Sequence, residues 1–275
     1  MPNNPPAFVG SIPEIYERFL GPYLFEPFAT DLVTRIDPAG IESVLEIACG
    51  TGRVTRHLRE RLKESARLVA TDLNPDMIAI AKKIMPDLRI EWEQADAQAL
   101  AFDDNYFDQL VCQFGLMFVP DKAMALAEAY RVLKPGGSLL LNTWHRLENN
   151  PAFYIADQIV SEYFPTDPPL FFHIPFSMPE PRELTSLVEN AGFSNCRIHL
   201  VKKEGISTSA ADTAMGMLEG TPLYMTIIER NPALLPLMKK DLESQLAKRF
   251  GAAPMISPMQ AWVVEAEKTV RPEDH

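Results

Sequence analysis

Glu46, Gly50, Gly52 and Asp72 are the residues of this 275-residue chain whose types and spacing point most directly to chemistry. The two glycines sit in Glu46-Ile47-Ala48-Cys49-Gly50-Thr51-Gly52, where an apolar, strand-like run gives way to a helical pattern. A Gly-x-Gly turn has no Cβ atoms to hold a ligand off the backbone. The unpaired N–H groups at the start of the following helix favour a carboxylate or a phosphate. Asp72 stands twenty residues after Gly52, at the end of Leu68-Val69-Ala70-Thr71-Asp72. A carboxylate there offers paired acceptors to the two hydroxyls of a ribose. In isolation the glycine turn also suits a plain strand–helix connection, and Asp72 also suits opening the turn Asp72-Leu73-Asn74-Pro75.

Two ligand classes meet these requirements: a dinucleotide, or a nucleoside carrying an amino acid, as in S-adenosylmethionine. The dinucleotide fingerprint asks for a third glycine in G-x-G-x-x-G. Thr55 occupies that position.

The elements that must position these residues follow a regular rhythm. After a Pro- and Asn-rich arm over residues 1–12, the pattern predicts helices near 13–19 and 24–36, separated by Gly21-Pro22. Strands are expected over 43–48, 67–72, 89–94, 107–113 and 138–143, and helices over 51–63, 75–84 and 121–133. The last of these helices is stopped by Lys134-Pro135-Gly136-Gly137. Strands alternating with helices imply right-handed βαβ crossovers and a parallel sheet. Beyond residue 145 the rhythm changes. Residues 164–181 are too rich in proline for a regular helix. Ser177-Met178-Pro179-Glu180 reads as a capping box opening a helix that Gly192 closes. A strand over 196–202, a Met- and Leu-rich helical stretch over 207–250 and a last strand over 260–265 complete the pattern.

Charge and composition narrow the partners. The net charge of −11 leaves no basic run beyond pairs such as Lys82-Lys83, so no nucleic-acid partner is expected. No apolar run approaches the roughly 20 residues of a membrane-spanning helix, and the N-terminus lacks the basic start and apolar core of a secretory signal. Three well-separated cysteines, Cys49, Cys112 and Cys196, fit a reducing compartment, with the cytoplasm as the expected location, and no metal site.

The runs VLEIACGTGRVT (44–55), ATDLNPDMIAIA (70–81), QADAQALAF (94–102), FDQLVCQFGLMFVPD (107–121) and RVLKPGGSLLLNTW (131–144) together resemble the class I S-adenosylmethionine-dependent methyltransferases. They are most similar to the small-molecule group that includes the ubiquinone/menaquinone-biosynthesis methyltransferases. The resemblance spans about residues 40–145. It implies an α/β, Rossmann-like, doubly wound and mostly parallel seven-stranded sheet, its last strand antiparallel, with helices on both faces and a helical or loop cap. Residues 1–40 would be an N-terminal helical arm and lid. Residues 41–275 would be the methyltransferase domain, with acceptor-pocket or lid insertions near 150–180 and 207–250.

The cofactor implied is S-adenosylmethionine, leaving as S-adenosylhomocysteine. Position by position, the resemblance gives Glu46 to the methionine ammonium and lets Ala48, Gly50, Thr51 and Gly52 line the methionine moiety. Asp72 would hold the ribose diol, with Leu73 and Met77 against the adenine. Asp96 would accept from the adenine amino group beside the Ala97 backbone. Gln113 and Phe114 would face the sulfonium, with Tyr16 and Phe19 closing over it. Arg53 departs from the family pattern, being bulkier than the small residue common there.

The activity implied is methyl transfer to a small-molecule acceptor by in-line displacement, in which alignment does most of the work. Where the acceptor carries a proton, a base must take it. His145, directly after the fifth strand, is the candidate base, with His173 a second; each also suits a structural role. Cys112 reads as core. Phe171, Phe172, Phe176, Met215, Met217 and Met225 suggest an apolar or aromatic acceptor pocket, or equally the packing of a helical cap. Two other readings remain at this level: a non-catalytic protein binding S-adenosylmethionine or S-adenosylhomocysteine, and a dinucleotide oxidoreductase, which Thr55 and Glu46 disfavour.

Overall fold

The computed structural model describes residues 8–86 and 89–269, so the arm expected over residues 1–12 falls mostly outside the described residues. Seven strands form one sheet in the order β3-β2-β1-β4-β5-β7-β6. Every residue of β1 (Ser43–Ile47), an interior strand, is buried, as expected of a strand covered on both faces. It pairs in parallel with β2 (Arg67–Asp72) on one side and β4 (Phe107–Gln113) on the other. β3 (Glu91–Gln94) continues the parallel sheet beyond β2, and β5 (Leu133–Trp144) beyond β4. Strand order therefore reverses between β1 and β4, and the crevice at their carboxyl ends is where such sheets bind ligands. β7 (Met255–Lys268) lies antiparallel between β5 and β6 (Phe193–Ser207), matching the expected antiparallel last strand.

The amino-terminal arm does not break at Gly21-Pro22. α1 (Ile12–Ile15) runs into a π-helical segment, Tyr16–Phe25, and on into α2 (Glu26–Thr34). The widened turns absorb Pro22, which has no N–H to give, and the Glu26 N–H reaches back to the Gly21 carbonyl. What keeps the run intact is burial. Leu20, Tyr23, Leu24, Phe28 and Leu32 are all sealed in the core, each worth about 1.5–3 kcal/mol, against a proline cost of about 3 kcal/mol.

α3 (Arg53–Arg61) and α4 (Pro75–Ile84) connect β1 to β2 and β2 to β3, and α5 (Lys122–Val132) leads into β5. α6 (Pro151–Tyr163), over residues with no expected element, follows β5 and buries Phe153, Ala156, Ile159 and Val160 at helical spacing. Residues 164–180 hold only the short 3-10 turn Phe171–His173, as their prolines require. The expected capping box does not form. α7 (Pro181–Asn190) begins four residues later than Ser177, because Pro181 forces Glu180 into an extended conformation (φ −96°, ψ 116°). The Pro179 carbonyl is instead taken by the Trp262 indole N–H at 2.8 Å. The helical stretch resolves into α8 (Ala210–Glu219), α9 (Leu223–Arg230) and α10 (Leu235–Phe250). β6 and β7 extend well past the expected spans, since outward-facing residues such as Lys202 and Pro258 disguise the pairing.

Candidate active site

Gly50 and Gly52 turn the chain from β1 into α3 with positive φ of 56° and 82°, a region that costs other residues roughly 1–2 kcal/mol. The turn brings the Gly50 N–H to Asp72 Oδ2 at 2.8 Å, while Asp72 Oδ1 accepts from the Asn74 N–H at 2.8 Å. The carboxylate at the end of β2 is thus aimed by two backbone donors, with Oδ1 also accepting from Asn74 Nδ2 at 3.4 Å, and it lines the crevice.

The crevice is a cavity of about 430 Å³, within the usual range for a small-molecule site. Ten of the expected residues line it: Tyr16, Ala48, Gly50, Asp72, Leu73, Met77, Asp96, Ala97, Gln113 and Phe114. A small adjoining recess adds Glu46 and Thr51 and shares Tyr16, Ala48, Gly50 and Gln113 with the cavity. Those four residues therefore form the neck between the two. Gly52 is not on this wall. A Cβ there would meet Met85 Cε at 2.3 Å, so its smallness serves the packing of α4 and β3. Thr51 gives its hydroxyl to Glu17 at 2.6 Å. Phe19 does not line the cavity; it packs at α8 near Gly216.

Glu46 is 1% exposed and accepts from the Thr55 hydroxyl at 2.6 Å. Burial pushes its carboxyl up to about 8, and the neighbouring Asp72 adds to the rise. Asp72 is likewise raised by burial, against the pull of its backbone donors. Among the described residues neither acid has a cationic partner within ion-pair distance. Two buried carboxyls in search of a cation and a diol fit the ammonium and ribose of S-adenosylmethionine. The Tyr16 ring stacks on Phe25 at 4.8 Å, and burial, Glu17 and Asp72 all raise its phenol, so it stays neutral. Asp96 is held by Gln98, whose side chain reaches both carboxylate oxygens.

Sequence reasoning left several wall residues unassigned. Phe8 closes the cavity mouth, its N–H on Asn74 Oδ1 at 3.3 Å and its ring edge-on to Tyr16 and Phe118. Phe118 and Val119 also line it and lie within a run already singled out for its resemblance, so proximity to that motif was the available signal.

Arg53 proves to be a tether. Its guanidinium reaches the Glu17 carboxylate and carbonyl and, at 3.1 Å, Glu26 Oε2, joining the glycine turn to the arm. A Cβ at position 21 would strike this guanidinium, so Gly21 is what admits it. Replacing Arg53 with Ala would remove the cation shared by two partly buried carboxylates, leaving Glu17 with Arg56 and Thr51 and Glu26 with His57. The expected loss is about 2 kcal/mol, or roughly 4–8 °C in thermal midpoint, and Arg53→Lys restores little because it cannot bridge both. A midpoint unchanged by Arg53→Ala in a calorimetric scan would show that the tether carries no stability.

The expected base is elsewhere. His145 continues the strand pairing, its N–H on the Gln260 carbonyl at 3.1 Å, and its ring lies against Trp262 at 4.9 Å. It does not line the cavity, because antiparallel β7 occupies the ground beside β5 and carries it away. Burial lowers its imidazole. His173 faces Asp157 at 3.3 Å, half-exposed, also off the cavity. Cys112 is core, its thiol pushed up to about 12 by burial. Phe172, Phe176 and Met217 are buried, and Met225 points to solvent at 42% exposure; none of them lines the cavity. Phe176 instead joins Trp144 and Phe153 in an aromatic cluster beneath Phe114.

Comparisons with known proteins agree with this geometry. A methyltransferase-domain profile matches residues 44–137. The chain is 33% identical over 172 residues to the ubiquinone/menaquinone biosynthesis C-methyltransferase UbiE of Teredinibacter turnerae, covering 58% of this chain and 69% of that one. Among solved structures, BH2331 of Bacillus halodurans C-125 superposes with a TM-score of 0.59 at 22% identity, covering 88% of this chain and 99% of that one. Haemonchus contortus phosphoethanolamine N-methyltransferase 2, bound to phosphomonomethylethanolamine and S-adenosylhomocysteine, gives 0.59 at 16% identity, covering 94% and 57%. At these identities the two structures speak for the fold.

Proposed function

The chain belongs to the class I S-adenosylmethionine-dependent methyltransferases, the family of the ubiquinone/menaquinone-biosynthesis C-methyltransferases, and we propose that it methylates a small apolar or aromatic acceptor by in-line displacement. The observation that carries this reading is the character of the cavity wall. Beside the neck stand Phe8, Tyr16, Phe114 and Phe118, and no lysine or arginine lines the larger cavity among the described residues. Such a wall suits a neutral, flat or greasy acceptor and offers no cationic side chain to a phosphate.

S-adenosylmethionine, when bound, supplies a methyl group already activated on a sulfonium. The work of the chain is then to bind and align. Glu46 would hold the ammonium in the recess, Asp72 the ribose diol and Asp96 the adenine amino group, with Leu73 and Met77 against the adenine. Gly50 and Ala48 keep the backbone close, with Thr51 and Gly52 setting the turn. Tyr16, Gln113 and Phe114 surround the neck, where the methyl would pass, and exclude water. Among the described residues the cavity wall holds no histidine, so we assign no proton transfer to His145. An acceptor that reaches the site as its own nucleophile suits this wall best.

Saturating S-adenosylhomocysteine is expected to raise the thermal midpoint by roughly 5–10 °C, whereas NAD leaves it unchanged. Incubation with methyl-labelled S-adenosylmethionine and a panel of quinols, phenols and amines should then label an uncharged aromatic. A larger shift with NAD would sink the cofactor assignment. Labelling of phosphorylated amines alone would sink the acceptor class, and binding without any labelling would favour a non-catalytic role.

A further inference from the structure

Asn142 is fully buried, at the carboxyl end of β5, and its side chain bonds to Gln113 and Phe114, two residues of the cavity wall. It lies in register with Gln113, the last residue of β4. Its Oδ1 accepts from the Phe114 N–H at 2.9 Å, and its backbone carbonyl shares the same N–H at 3.2 Å. Its Nδ2 donates to Gln113 Oε1 at 3.4 Å. Gln113 Nε2 in turn donates to the Phe25 carbonyl at 3.3 Å. An amide held at both ends has one orientation, because only its nitrogen can donate and only its oxygen can accept. Gln113 is one of the four residues common to the cavity and the recess.

The same strand end grips Phe114 twice. Phe114 sits at a positive φ of 50°, a conformation that surrounding structure must impose on a residue with a Cβ. Asn142 holds its N–H, and Trp144, two residues on and so on the same face of β5, stacks on its ring with centroids 4.0 Å apart and planes within 6°. The ring and the amide that border the neck are therefore both set from β5.

We infer that Asn142 is a positioning residue for methyl transfer: it fixes the Gln113 amide so that the remaining acceptor direction of Oε1 meets the positively charged centre of the donor. This inference rests on the donor-site reading above. It makes a selective demand. S-adenosylmethionine carries a sulfonium at that point and sinefungin an ammonium, whereas S-adenosylhomocysteine carries a neutral thioether, so only the first two gain from a correctly turned Oε1.

The test is calorimetric and needs no acceptor. In Asn142→Leu, affinity for S-adenosylmethionine and for sinefungin should fall about tenfold, with S-adenosylhomocysteine changed less than twofold. In a Gln113→Leu background the extra loss for S-adenosylmethionine and sinefungin over S-adenosylhomocysteine should vanish, because only the path through Gln113 distinguishes the charged ligands, whereas any loss through Phe114 falls on all three alike. Asn142→Ala, which adds no bulk to the strand, should give the same selective loss and serves where Asn142→Leu fails to fold. Equal losses for all three ligands, or a selective loss that persists without Gln113, would overturn the inference and leave Asn142 a packing residue. Failure of the unsubstituted protein to bind S-adenosylhomocysteine is a different result and would overturn the donor site itself.

Discussion

Replacing Glu46 with Gln is expected to make the ligand-free protein more stable and its S-adenosylhomocysteine complex far weaker. The side chain is 1% exposed, its carboxyl is pushed up to about 8 by burial, and no cation pairs with it among the described residues. An unfolded glutamate titrates near 4.5. Between these values the folded state holds a proton that the unfolded state has released, so the stability of the ligand-free protein falls as pH rises from about 4.5 to about 8. Glutamine keeps the acceptor for Thr55 and removes the charge. The gain in thermal midpoint should therefore be absent near pH 5 and reach several degrees at pH 8, corresponding to a few kcal/mol. The complex should weaken by roughly 30- to 1000-fold, the scale of about 2–4 kcal/mol for removing one partner of a buried charge pair. At pH 6.5 the wild type should also release more protons on binding than Glu46→Gln does. Equal proton release by the two proteins would remove Glu46 from the ammonium site.

Asp72→Asn should be as damaging for a different reason. Both oxygens of Asp72 already accept backbone N–H groups, from Gly50 and from Asn74. An asparagine amide has one accepting end, so its NH₂ must confront one of those donors and displace either the glycine turn or the β2 turn. With the charge-assisted bonds to a ribose diol lost as well, S-adenosylhomocysteine affinity should fall about 100- to 1000-fold, or roughly 3–4 kcal/mol. Adenosine separates the two acids. It carries the ribose and lacks the ammonium, so Asp72→Asn should weaken adenosine binding sharply while Glu46→Gln leaves it within twofold. Adenosine affinity that survives Asp72→Asn would mean the ribose is held by something else.

The donor half of the site was legible because its residues are set by near neighbours in sequence. A strand, a two-glycine turn and a helix start put Gly50 at the crevice, and the parallel neighbouring strand ends on Asp72. Arg53 looked like a misfit for the opposite reason. Its partner Glu17 lies 36 residues away in the arm, and the helix that carries Glu17 passes through a proline expected to break it. The expectation for His145 rests on a sound rule about the carboxyl ends of parallel strands, and the fold sets His145 off the cavity. The rule holds for β1, β2 and β4, but β5 has antiparallel β7 as its outer neighbour, and His145 pairs onward with Gln260.

The aromatic and methionine residues beyond β5 show the limit most directly. In sequence, Phe172, Phe176 and Met217 suit a pocket lining and a core equally, since both demand apolar side chains; in the fold they are core. The amino-acid sequence by itself determined the cofactor class and the sheet, and it picked out Glu46, Gly50 and Asp72, which line one crevice and its recess because strand–turn–helix units and local hydrogen bonds encode their places. The tertiary structure alone decided what holds the groups at the neck. Asn142 reaches Gln113 from 29 residues away, and the arm is tied to the glycine turn through Arg53. Such contacts depend on strand order and on which faces become buried, quantities that belong to the whole chain and to no segment of it.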